Sequence, residues 1–68
     1  MAHEANRIDD GFWTAVQDVK TNRIVLYRYG EQVKVIQPGK VLSFDELHRL
    51  IITERAEINS LEVEDGMV

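Results

Sequence analysis

Apolar positions fall into three short runs and one longer periodic one. Phe12 to Val19, "FWTAVQDV", is rich in aromatic and β-branched residues and predicts a strand. "KTNR" (20–23) follows as a tight turn, with Asn22 the residue suited to positive φ. "IVLYRY" (24–29) predicts a second strand, and Gly30-Glu31 turns the chain again. "QVKVI" (32–36) alternates polar and apolar and predicts a third. Gln37-Pro38-Gly39-Lys40 fits a type II turn, with proline presetting φ and glycine supplying the positive φ that follows. Proline also lacks the amide a ladder needs, so the third strand should stop there.

The period then changes. Ser43 and Glu46 form the S-x-x-E capping box, and Leu42 and Leu47 suit a hydrophobic staple around it. Phe44, Leu47, Leu50, Ile51 and Ile58 make a 3.6-residue stripe, so a helix is expected from Phe44 to about Ile58. Residues 1–10 are polar and aperiodic and read as a flexible lead-in. In residues 61–68, Leu61 and Val63 alternate with acids, which reads as an acidic tail or a short terminal strand. The expected fold is therefore α+β. A three-stranded antiparallel sheet, in the order β-β-β-α over residues 11–60, packs on one C-terminal helix or closes further into a small barrel.

Side-chain alternation assigns the strand residues to two faces. A three-residue first turn (20–22) and a two-residue second turn (30–31) place Phe12, Val16, Ile24, Leu26, Val33 and Val35 together, with Thr14, Asp18 and Arg28 toward the edges of that face. Trp13, Ala15, Val19, Val25, Tyr27, Tyr29 and Ile36 then share the other face, with Gln17, Arg23 and Lys34 among them. A one-residue change in the first turn would exchange the faces of the first strand. Either way both faces are substantially apolar, and one helix covers only one of them. Exposed apolar patches of this kind mark interaction sites, and interfaces favour Trp, Tyr and Arg. Trp13, Tyr27 and Tyr29 are the expected anchors, with Arg23 and Lys34 selecting the charge of the partner.

Length and composition narrow the picture. Sixty-eight residues make one domain with a small core. There is no cysteine, and the two histidines, His3 and His48, are far apart, so neither a disulfide nor a zinc site is expected. Association with a partner or with itself is then a route to added stability. No apolar run approaches a membrane span and the N-terminus lacks a secretory pattern, so the expectation is a cytoplasmic protein without membrane contact. Charge is segregated. Residues 1–19 carry Arg7 against four acids, residues 20–40 five bases against Glu31, and residues 41–68 two bases against seven acids.

Catalytic motifs are lacking. The glycines are isolated, and neither G-x-S-x-G nor H-E-x-x-H occurs. His48 reads as a polar-face residue of the helix. No cofactor or metal is expected. The expected function is a non-enzymatic regulatory or adaptor protein that binds a protein partner through its aromatic sheet face, as a homodimer or with another chain. A sheet-based nucleic-acid-binding module is the main alternative, with rings stacking on bases and Arg23, Lys34 and Lys20 meeting phosphates. The β-β-β-α order resembles that of small DNA readers such as AP2-like and integrase arm-binding domains, a likeness of topology that carries no motif. The net charge of -4 weighs against it. A further alternative is an acidic inhibitor whose stretch from Glu54 to Asp65 fills the basic groove of a nucleic-acid enzyme.

Overall fold

The computed structural model describes the backbone of residues 5–67 and the side chains of residues 5–60. His3 therefore lies outside the described residues. Strands β1 (Ala5–Asp10), β2 (Trp13–Asp18), β3 (Ile24–Arg28) and β4 (Glu31–Ile36) precede one helix, α1 (Phe44–Met67). The strands form an antiparallel meander in the order β1-β2-β3-β4. The fold is α+β as expected, but the sheet has four strands, not three, and it is open, not a barrel.

The additional strand is the segment that looked like a lead-in. β1 contributes only Ile8 to the core margin, so its sequence carries no apolar alternation. Its place is fixed by the turn that follows. Asp10 pairs with Trp13 across Gly11-Phe12, and Gly11 has φ 63. Glycine in that conformation at the first central position is what a two-residue II′ hairpin requires.

Two register changes correct the face assignment. The β2–β3 loop holds four residues, 19–22, because the Asp18 amide donates to the Arg23 carbonyl at 2.9 Å and the Asn22 amide to the Asp18 carbonyl at 2.8 Å. Asn22 takes the positive φ, 66°, as anticipated. Ala15 rather than Val16 therefore lies opposite Leu26, and every side chain of β2 moves to the other face. The β3–β4 turn is Tyr29-Gly30 rather than Gly30-Glu31, with φ 53 and 78 and with Arg28 paired to Glu31. A bulge beyond Tyr27 then brings Lys34 opposite Leu26. Gly39 does not have positive φ, so no type II turn forms at Gln37–Lys40.

A buried glutamine holds that connection instead. Gln17 is fully buried on the helix side of β2. Its Nε2 donates to the carbonyls of Asn22 and Lys40, both at 2.9 Å, and its Oε1 accepts the Leu42 amide at 2.7 Å. One side chain thus ties the β2–β3 loop to the segment that leads into the helix.

The capping box forms as read. The Ser43 amide donates to Glu46 Oε1 at 3.0 Å, and the Glu46 amide donates to Ser43 Oγ at 3.2 Å. From there α1 covers one face of the sheet. Leu47 and Ile51 meet Trp13, Ala15, Ile24 and Leu26 in the core. Phe44, assigned to the buried stripe from its spacing, is exposed. Glu54 takes an inward position and is nearly buried, held by Lys34 Nζ at 2.5 Å. α1 continues through Asn59-Ser60 to Met67, so residues 61–67 are helix rather than strand. At about 1.5 Å per residue it is roughly 36 Å long against about 20 Å for a six-residue strand. It therefore overhangs the sheet, and the molecule measures 48 × 21 × 18 Å.

Candidate interaction surface

The second face of the sheet has no covering element among the described residues. Its side chains follow from the register as three rows across the strands. The central row is Arg7, Val16, Val25 and Val35. On one side lie Asp9, Thr14, Tyr27 and Gln32. On the other, Asp18 stands opposite Arg23, one step beyond the last ladder pair. Three valines in line are what two strong β-forming hairpins place there, and Tyr27 extends the apolar area by one row. Val35 is 46% exposed at the sheet edge, whereas Val16, Val25 and Tyr27 are half-buried among their own neighbours. A shallow depression of about 300 Å³ lies between Arg7, Thr14, Val16, Tyr27 and Gly30.

The polar groups of this face are ordered differently at its two ends. Thr14 Oγ1 donates to Asp9 Oδ1 at 2.6 Å, and Arg7 lies 3.4 Å from the same oxygen. The Thr14 hydroxyl, and after it Arg7, hold the Asp9 carboxyl below its usual range. Those charges are neutralised within the protomer. At the other end the Asp18 carboxylate accepts the Lys20 amide at 2.8 Å. No ion pair joins it to Arg23, whose guanidinium has no partner among the described residues.

Of the five anticipated contact residues, the structure gathers two on this face, Tyr27 and Arg23. Tyr29 sits at its rim, in the β3–β4 turn. It stacks on Phe12 with ring centroids 4.5 Å apart, and both rings are exposed. The turns carrying them are joined by the Tyr29 amide donating to the Phe12 carbonyl at 2.9 Å. Trp13 is on the opposite face, 4% exposed beneath the helix, with Arg28 5.6 Å above its ring. Lys34 is also on the helix side, and the Glu54 carboxylate raises its pKa. Val16 and Val35 belong to the uncovered face, although a three-residue first turn had assigned Val16, and a two-residue second turn at 30–31 had assigned Val35, to the covered one. The missed signal was Asp18, which caps the loop through the Lys20 amide and so favours four residues over three.

Two other features are less suited to chemistry. A cleft of about 760 Å³ lies where the helix leaves the sheet, lined by Phe12, Trp13, Arg28, Tyr29, Arg55 and their neighbours. Its Arg55 is 3.4 Å from Asp10, and that carboxylate also lies 3.3 Å from His48 Nε2. These contacts fasten the β1–β2 corner to the helix. No group of three metal-ligating side chains occurs among the described residues. No helix there is long and apolar enough to cross a membrane. No protein-family model matches the chain, and no curated protein or solved structure matches it significantly.

Proposed function

We propose that this chain is a non-enzymatic interaction module whose binding surface is the sheet face that α1 leaves uncovered. The observation that carries the reading is the row of Val16, Val25 and Val35, with Tyr27 beside it, on a face that no described element covers. An antiparallel sheet open to water on one side ordinarily presents polar residues there. Here the middle of that face is aliphatic and its rim carries Arg23 and the Phe12–Tyr29 stack. The edges of the sheet are poorer docking sites. β4 carries a bulge and the inward charge of Lys34, and β1 is lined by Arg7, Asp9 and Asp10. Such features discourage strand addition.

The nucleic-acid alternative draws less support from this arrangement. Its cations are dispersed: Lys34 is paired with Glu54, Lys40 with Glu46 and Arg7 with Asp9. Site-specific photo-crosslinking in the native host tests the reading. A photoreactive residue at position 25 or 35 should yield protein adducts, whereas one at Thr53, on the exposed side of the helix, should not. No adduct from 25 and 35, or equal yields from all three positions, would overturn it.

A further inference from the structure

We infer that the occupant of the uncovered face is a second copy of this chain, related by a two-fold axis that runs parallel to the strands between β2 and β3. The inference rests on the reading of that face as the binding surface and names its partner.

The argument is one of self-complementarity. An isologous interface requires a patch that matches itself after a two-fold rotation. Rotation about an axis between β2 and β3 keeps each row in register and exchanges β2 of one copy with β3 of the other. Val16 then faces the partner's Val25, and Val25 faces the partner's Val16. Thr14 faces the partner's Tyr27. Asp18 faces the partner's Arg23, and the pair occurs twice. Arg23, whose guanidinium has no partner among the described residues, is thus set opposite a carboxylate that accepts a local turn amide, that of Lys20. At the sheet edges the aliphatic stem of Arg7 faces the partner's Val35, while its guanidinium stays with Asp9. No like charges meet in the two inner strands. An axis perpendicular to the strands would instead set Arg7 against the partner's Arg7 and leave Asp18 opposite a threonine.

The result is a four-layer α-β-β-α particle with the helices outside. Aligned sheets cross at about -30°, and an axis bisecting that angle preserves the pairing described. The size of the face sets the strength. Four strands about 4.8 Å apart and three rows deep offer a footprint near 20 × 20 Å. That is below the roughly 800 Å² per partner of a standard stable interface. Self-association should accordingly be weak, with dimers predominating only at about 0.1 mM and above.

Sedimentation equilibrium of the whole chain from about 0.01 to 0.5 mM gives the test, with circular dichroism as a check on folding. The wild type should approach twice the 7.9 kDa of one chain at the upper end. Arg23→Asp should weaken the dimer at least about tenfold, by placing two carboxylates together. Asp18→Arg/Arg23→Asp should restore it to within about threefold, because both inter-copy pairs are re-formed with reversed sign. Val25→Lys should leave a folded monomer, and it tests the geometry even where Asp18→Arg disturbs the turn. A wild type that stays monomeric throughout overturns the inference, as does an Arg23→Asp variant that dimerises normally. The crosslink at position 25, carried out in a host that holds the chain above about 0.1 mM so that a weak dimer is populated, separates this from the broader reading. An adduct of twice the chain mass supports both, one of any other mass overturns the second copy alone, and none overturns both.

Discussion

At the scale of single residues, the buried amide of Gln17 joins parts of the chain that no apolar contact specifies. Glutamine is seldom fully buried, and here every polar atom of its side chain is used: two carbonyls receive its NH₂ and one amide donates to its oxygen. Gln17→Leu preserves volume but strands the Leu42 amide and two carbonyls away from water. An unsatisfied buried group costs about 1–3 kcal/mol. The variant should therefore lose about 3 kcal/mol of stability, read as a lower urea midpoint with the denaturant slope unchanged. A loss within the range of an exposed substitution would show that water reaches this corner. Sequence reasoning placed Gln17 among polar residues of the open face because a lone glutamine in an alternating strand looks solvent-facing. Nothing local marks it otherwise. Its partners lie five, twenty-three and twenty-five positions away.

At the scale of elements, the parts most legible in the sequence were those fixed by short-range chemistry. The capping box placed the helix start at Phe44, and Asn22 was recognised as the left-handed residue of its loop. What escaped was decided by counting across turns. One additional loop residue moved Trp13 from the open face to the core, and Tyr29 entered a turn at φ 53, where an aromatic residue is rarely found. β1 escaped because an edge strand touching the core through one residue, Ile8, needs no hydrophobic period. The helix start also supports a pH prediction. The Ser43 backbone amide, then Lys40 and the Ser43 hydroxyl, hold the Glu46 carboxyl below its usual range. A depressed pKa in the folded state gives stability that is present above the unfolded value, about 4.3, and lost as pH falls through the folded one. Glu46→Gln should therefore be less stable than wild type at about pH 7 and closer to it at about pH 3. Equal differences at both pH values would mean that the carboxylate charge contributes nothing.

At the scale of the whole molecule, the load is unevenly distributed along the chain, and truncation exposes this. Among the described side chains, six buried apolar ones make the core, contributed by β2, β3 and the first half of α1. The helix rests on β1 as well as β2, and Asp10 ties that strand to His48 and Arg55. Removing residues 1–10 would take away a paired edge strand, Ile8 and both of those contacts, and would bare the β2 edge. The shortened chain should be largely unfolded at 25 °C, because domains of this size hold only about 5 kcal/mol in reserve. The opposite end behaves differently. Ile58 is the last residue of α1 packed against the core cluster among the described side chains, and the helix beyond it overhangs the sheet. Ending the chain after Ser60 should shift the unfolding midpoint by no more than about 0.5 kcal/mol, the scale of a change away from the core. It should lower the helical dichroism signal in proportion to the turns removed. Both measurements belong well below the concentration at which copies would pair. If the first truncation folded and the second did not, the sheet would not be the platform on which the helix rests. The uncovered face would then lose its claim to be a preformed surface.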